Sequence, residues 1–354
     1  MSPNVDQSLA RAQRWLKENT KRFAFNKLNL EIVETGVCTE CGACAASCPV
    51  NAITGIRTTQ KYVPTLTGEC ISCGICYTMC PRTYVLWSDL IGPFRSVWKA
   101  RSKLEGPKQD GGAVTALLSY MLDKHLVDAA VVAGFGDTPW LPEARIVTEA
   151  DQVRQSGGTI YTHAPVVQGL ISAFRAGHVA VAVVGTSCNI DAIAKMQTHP
   201  AGLLQLDTKA SVFTISLFCT ESFDYKRLRD FLESHKVRLE DVRRMAISKG
   251  VFRIETPTES KEWPIGDLEA AAADSCSYCR DFTGKSADLS CGNVGSEEGW
   301  TTVIVRSVRG EHVLQEAVAE GVVEAELLDA KDLRKIETVS RTKAMRYYAL
   351  QREH

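Results

Sequence analysis

Eight cysteines fall in two copies of one pattern, and no other feature of the chain restricts its fold as much. CTECGACAASCP (38–49) and CISCGICYTMCP (70–81) each read C-x2-C-x2-C-x3-C-P. In bacterial two-cluster iron–sulfur runs of this spacing, three thiolates bind one four-iron cluster and the fourth serves the other. Cys38, Cys41, Cys44 and Cys80 are therefore expected on one [4Fe-4S] cluster, and Cys70, Cys73, Cys76 and Cys48 on the second. The small residues Gly42, Ala43 and Gly74 let backbone amides approach the sulfides. The proline after each fourth cysteine turns the chain away. Zinc sites use one or two spaced pairs, not two triplets each followed by Cys-Pro. Two such clusters form a one-electron wire, which names neither donor nor acceptor.

The chain has 354 residues, enough for two or three domains. Its 41 Lys and Arg against 42 Asp and Glu leave a net charge of −1, which argues against a general nucleic-acid binder. Residues 1–27 carry charges throughout and lack the apolar stretch of a secretory signal. The longest apolar run, Val179–Val184, is too short to cross a bilayer. A cytoplasmic location is expected, with peripheral attachment to a membrane complex left open. In that compartment clustered cysteines hold metal or do redox chemistry rather than form disulfides.

Four segments follow from the patterning. Residues 1–32 carry an N-terminal helix, with Leu9, Ala12 and Leu16 at helical spacing over 5–27. Residues 33–86 form an α+β ferredoxin-like 2[4Fe-4S] module. Residues 87–108 read as a connector with Pro93 and Pro107, in which Arg95, Lys99, Arg101, Lys103 and Lys108 outnumber Asp89 and Glu105. Such a run is usually a solvated face. From 109 to 354 strands alternate with helices. GGAVTALLSYMLDKHL (111–126) has helical spacing, and DAAVVAG (128–134) reads as a buried strand. HVAVAVVG (178–185) and SVFTISLF (211–218) are strands that each lead into a helix, and 301–328 adds strand, helix and strand. This is an α/β domain with a largely parallel sheet.

Cys188 and Cys219 each follow one of these strands, at the carboxyl ends where open α/β sheets build sites. Cys276 and Cys279 form a C-x2-C pair. Together they could make a four-thiolate site, and spacing alone does not choose between zinc and iron–sulfur.

From about Val97 to Arg309 the chain resembles the beta-subunit family of coenzyme F-420-reducing hydrogenase. The matching segments include KQDGGAVTALLSYML (108–122), GTIYTHAPV (158–166), VGTSCNIDAIAKMQTHP (184–200), LFCTESFDY (217–225) and CSYCRDFTGKSADLSCGNVGSEEGWTTVIVR (276–306). The resemblance implies FAD, a [4Fe-4S] cluster on Cys188, Cys219, Cys276 and Cys279, and hydride exchange with the deazaflavin F-420. The leading double-cluster module is similar to that of the F-420-oxidising subunit of archaeal F-420H2 dehydrogenases. Plant and cyanobacterial pigment reductases share the flavin domain. The chain departs from the family at Ser187 and Asn189, in GTSCN where GTPCQ is frequent, and at Cys291, where relatives carry Thr.

No G-x-G-x-x-G opens a helix, so the implied FAD lacks a Rossmann fingerprint. Candidate contacts are Gly111 and Gly112 ahead of a helix N-terminus, the polar turn Gly158, Thr159, Tyr161 and Thr162, and the turn Gly292, Asn293, Gly295 and Ser296. Asn189 lies beside a ligand cysteine, and Lys195 and Lys249 could neutralise phosphates. Lys108 and the basic connector are candidates for the acidic tail of F-420. His163 and His199 receive no role. Direct hydride transfer demands no side-chain acid or base, so no catalytic residue is assigned. The expected function is a flavin-dependent oxidoreductase that joins F-420 to three [4Fe-4S] clusters. Its partner would be ferredoxin or a larger redox complex of the membrane F-420H2 dehydrogenase, heterodisulfide reductase or carbon-monoxide dehydrogenase type. The alternatives are an electron relay without F-420 activity, or a ferredoxin-dependent reductase of another organic substrate.

Overall fold

The computed structural model describes residues 24–36, 38, 40–57, 62–83, 90–105, 109–198 and 211–350, with 10, 13 and 14. Most of the expected 5–27 helix, Lys108 and His199 lie outside the described residues. The chain divides into two compact units, Met1–Leu90 with Arg352–His354, and Ile91–Gln351.

In the first unit the sequence repeat is also a structural repeat. Gly42 and Gly74 take left-handed conformations, with φ of 74° and 83°, and each opens a one-turn helix, Ala43–Ala46 and Ile75–Thr78. Two residues after the first cysteine of each run, Glu40 and Ser72 also have positive φ, and their amides point at Cys38 and Cys70 sulfur at 3.5 Å. The runs are linked by an antiparallel hairpin of β1 (Ile53–Arg57) and β2 (Tyr62–Leu66). Gly55 is required there, because a Cβ would lie 1.8 Å from the Tyr62 ring. The core is small: Phe25, Leu28, Ile32, Ile53, Cys76 and Tyr77.

The second unit is built on an eight-stranded sheet. Its strands are β3 (Ser96–Ser102), β4 (Ala129–Phe135), β5 (Pro142–Val147), β6 (Ala180–Thr186), β7 (Ser211–Leu217), β11 (Leu289–Gly292), β12 (Thr301–Val305) and β13 (Val323–Leu327), in the order β13-β3-β12-β11-β7-β6-β4-β5. The strands β4, β6, β7 and β11 are mutually parallel. Their runs are apolar on both faces because both faces are covered. Ala130, Val132, Ala182, Val184, Phe213 and Ile215 enter one core, with the helices Ala113–Asp123 and Val308–Ala319. Ala129, Val131, Val181, Val183 and Val212 enter the other, with Val166–Arg175 and Ser187–Thr198.

The sheet is mixed, where a largely parallel one was expected. β5, β12, β3 and β13 all join by antiparallel pairing. β12 and β13, although a helix separates them in the chain, do not pair with each other, because β3 lies between them and pairs antiparallel with both. The expected connector over 87–108 carries β3, an interior strand between β12 and β13. Its charges are neutralised across the sheet. Lys99 pairs with Glu297 and Glu326, Arg101 pairs with Glu324, and both cations lie over the Trp300 ring at 4.7 and 4.6 Å.

Three further strands, β8 (Arg244–Ser248), β9 (Val251–Glu255) and β10 (Ser260–Pro264), form a separate antiparallel sheet. Phe252, Ile254, Met245 and Trp263 on it share a core with Leu228 and Leu232 of the helix Tyr225–Ser234. The chain's last described element is the helix Ala330–Leu350. Among the described residues no helix is long and apolar enough to cross a membrane.

Candidate functional site

The first unit holds a cavity lined by Cys38, Cys41, Cys44 and Cys80, with Leu28, Ile32, Tyr62 and Pro64 around them. Burial, with negative charge on Cys38 and Cys80 adding to it, holds the Cys44 thiol above its ordinary range. Burial, then Cys38 and Cys41, does the same to Cys80. Cys76 is pushed up to about 12 by burial, with Cys73, Cys70 and Cys44 adding. Cys48 sulfur accepts the Ala52 amide at 3.2 Å. Thiols that burial and mutual repulsion keep protonated ionise outright once a metal coordinates them. Among the described residues no group of three or more His, Cys, Asp and Glu side chains is gathered as a single-ion site. Four thiols around a cavity suit a four-iron cluster, which takes four thiolates.

In the second unit β3 and β11 run the same way as β7, β6 and β4, so their carboxyl ends share one edge of the sheet. Cys188 follows β6 and Cys219 follows β7 at that edge. Cys276 lies in the 3-10 turn Asp274–Tyr278, and Cys279 ends it. The turn is held by the bidentate pair of Arg227 with Asp274, both bonds 2.8 Å. Cys276 sulfur accepts the Ser222 amide at 3.3 Å and lies 3.9 Å from His163 Nε2. Cys188 sulfur is 3.2 Å from Thr186 Oγ1. Burial pushes Cys219 up to about 12, Lys343 opposes it, and Cys276, Cys188 and Cys279 add to it. Cys219 is therefore within electrostatic reach of the thiols of two other segments.

Beside them the glycine turns form a polar rim. A Cβ on Gly111 would lie 2.6 Å from Ala100 O and Thr301 N, so only glycine fits. The Gly111 amide donates to Thr301 Oγ1 and the Gly112 amide to Gln109 O. These amides hold the turn, and the first helical amides, from Ala113 on, follow them. Ser296 Oγ and Thr302 Oγ1 are 2.7 Å apart, which places the 292–296 turn beside the same end of β12. Asn293 donates to Ile247 O, and Ile247 N donates to Tyr161 Oη. The Tyr161 hydroxyl is raised above its ordinary range by burial, and it also hydrogen-bonds Thr159. Asp110 and Arg244 both act on Tyr161. Burial holds the Asp110 carboxyl above the usual carboxylate range, with Arg244 opposing and Glu298 adding.

Other candidates have local duties or stand open. Thr162 Oγ1 donates to Trp140 O, and its strand-like bridge is to Phe223. Gly158 has φ of 128° and open space where a Cβ would be. Asn189 Oδ1 accepts from Thr186 N and Oγ1, capping the helix that carries Cys188. Lys249, with φ of 51°, is exposed in the β8–β9 turn, and Lys195 is exposed on the helix Ser187–Thr198. Sequence reasoning missed Asp110, Arg244 and Lys343. Asp110 lies within KQDGG, a segment already singled out, whereas a lysine on an amphipathic helix gives no signal of burial.

Residues 37–85 match the 4Fe-4S dicluster domain. Residues 96–171 match the N-terminal part, and 179–331 the C-terminal part, of the coenzyme F-420 hydrogenase/dehydrogenase beta subunit. The beta subunit of the coenzyme F-420 hydrogenase of Methanothermobacter thermautotrophicus is 34% identical over 245 residues, covering 68% of this chain and 87% of its own. A subunit of the F-420H2 dehydrogenase of Methanosarcina mazei is 32% identical over 294 residues, covering 79% of this chain and 82% of its own. A solved chain of the F-420-reducing NiFe hydrogenase complex from Methanosarcina barkeri is similar at a TM-score of 0.69 and 31% identity, over 74% of this chain and 92% of that one.

Proposed function

Because this chain belongs to the coenzyme F-420 hydrogenase/dehydrogenase beta-subunit family, we propose that it is an oxidoreductase that exchanges hydride with coenzyme F-420 and passes electrons singly through FAD and three [4Fe-4S] clusters. The observation that carries this reading is the shared edge: the four thiols of Cys188, Cys219, Cys276 and Cys279 and the polar rim lie at the carboxyl ends of the same sheet. Open α/β sheets bind ligands at that edge.

FAD, when bound, takes up a hydride and releases electrons one at a time. The chain's own part is to bind and orient. The N-terminal amides of the helix Ala113–Asp123 suit a phosphate, held in place by the Gly111–Thr301 bond. Tyr161, fixed through Ile247 to Asn293, closes the rim with Asp110 and Arg244 nearby. The flavin- and cluster-binding domain then begins at β3, near residue 96 rather than 109. The eight N-terminal cysteines would hold two clusters and the other four a third. The partner is ferredoxin or a larger redox complex, since relatives of this chain are named as subunits of hydrogenase and dehydrogenase complexes.

Anaerobically purified protein should contain about twelve iron atoms per chain, from three four-iron clusters, and one FAD. F-420H2 should bleach the flavin and drive viologen reduction. Flavin-loaded protein that leaves F-420H2 unoxidised with viologen present sinks the proposal. Clusters without extractable flavin would assign the chain to electron relay instead.

A further inference from the structure

Lys343 lies on the helix Ala330–Leu350, past the family match that ends at residue 331. It is only 3% exposed. Its ammonium donates to Cys219 O at 2.5 Å and to Asp281 O at 2.8 Å. Both acceptors are neutral carbonyls, and among the described residues no carboxylate pairs with it. A buried ammonium without an anion is unfavourable, so its place needs a compensating negative charge.

The anion available is the four-thiolate group. The two acceptors of Lys343 belong to two of the three segments that carry the ligand candidates: Cys219 itself, and Asp281, whose carbonyl is also 3.5 Å from Cys279 sulfur. The Asp281 carboxylate is spent on its own turn, accepting the amides of Thr283, Gly284 and Lys285. The helix is anchored on both sides of the lysine. Ile336 fills the space against Gly295, and Arg346 pairs with Glu221 at 2.5 Å.

Resting on the third-cluster reading above, we propose that Lys343 is a positioning residue for that cluster, joining the Cys219 segment to the one that carries Cys276 and Cys279, and that its charge raises the cluster's reduction potential. A cluster with four thiolates is negative in both oxidation states and gains one more negative charge on reduction, and the net charge around it sets its potential. A fixed cation beside it stabilises the reduced state. Reduction would bring a single electron from the reduced flavin of the proposed function, with no bond made and no proton moved at the cluster.

The test uses the full chain, purified anaerobically, with Lys343→Gln and Lys343→Arg. Gln keeps a hydrogen-bond donor and removes the charge, while Arg keeps the charge. Reduction is followed by EPR against a poised potential, and Cys276→Ser identifies the third cluster's signal. The Gln variant should reduce at a more negative potential at the third cluster alone, or lose about four iron atoms. The Arg variant should stay near wild type in iron and potential. Gln matching wild type in both, or both variants losing the cluster, overturns the role of the charge. A wild-type protein with only about eight iron atoms would instead overturn the third cluster itself.

Discussion

Cys291 lies on β11 between Leu217 of β7 and Val303 of β12, with 1% exposure. Burial alone pushes its thiol up to about 12. It packs as a small apolar side chain in the core, and it is not among the thiols that act on Cys219. Cys291→Ser should leave the iron content unchanged and lower stability by about 1–3 kcal/mol, because a hydroxyl would be buried among Leu289, Val303 and their neighbours. Iron analysis and urea unfolding check both halves, and loss of iron would make Cys291 a ligand. At this scale the sequence was legible where chemistry depends on short spacing, as in the two C-x2-C-x2-C-x3-C-P runs. It was not legible at Lys343, whose burial follows from where a helix packs and not from its neighbours in the chain. Asn189 shows a third case: a departure from the family's motif that acts as a cap on Thr186.

Between elements, Asp288 is the joint that fixes β7, β11 and the helix Val308–Ala319. It accepts from Thr214 N and Oγ1 on β7, from Ser307 Oγ at the helix cap, and from Arg309 on the helix. Its side chain is 7% exposed. Asp288→Ala leaves the buried Thr214 donors unpaired, a loss of about 1–3 kcal/mol for each, while half-exposed Arg309 turns to water. The joint lies just before β11, at the edge opposite the candidate site. Denaturant unfolding should therefore show a large loss while the folded fraction keeps its iron per chain. Iron lost in proportion to stability would count against this separation of the two edges. The elements that could be read from sequence were the strands with a two-faced apolar run, β4, β6 and β7, the helix Ala113–Asp123, and the helices that follow β6 and β7. β3 was hidden because its outward charges, Lys99 and Arg101, resemble a solvated connector until Glu297, Glu324, Glu326 and Trp300 meet them. β5 was hidden by its alternating Glu143 and Arg145, which suit an edge strand.

The two units differ in what keeps each folded. The second has three apolar clusters of its own, spread over an eight-stranded sheet and a three-stranded one. Among the described residues the first has one apolar cluster, Phe25, Leu28, Ile32, Ile53, Cys76 and Tyr77, and packed against it are Ala45 and five cysteines. The helices of its two cysteine runs are single turns, and among the described residues its sheet is one hairpin. Six of the residues in and around the cluster are cysteines, so its packing depends on what the thiols bind. Where ligands meet only in the folded state, metal-binding free energy becomes folding free energy. Cys80 must reach across the unit to Cys38, Cys41 and Cys44, so losing the clusters removes the main long-range ties of this part of the chain. The third site is different. Its loops are also held by Arg227 with Asp274, by Arg346 with Glu221, and by Lys343 on two carbonyls. Oxidising and chelating the iron should therefore unfold the first unit and only loosen the edge of the second. Limited proteolysis should then cut within 24–83 and leave a resistant fragment starting near Ile91, with its sheet signal in circular dichroism retained. Equal protection of both units without iron would show that the first unit's core suffices alone. Simultaneous collapse of both would show that the third site's iron, and not its side-chain ties, holds the large sheet's edge.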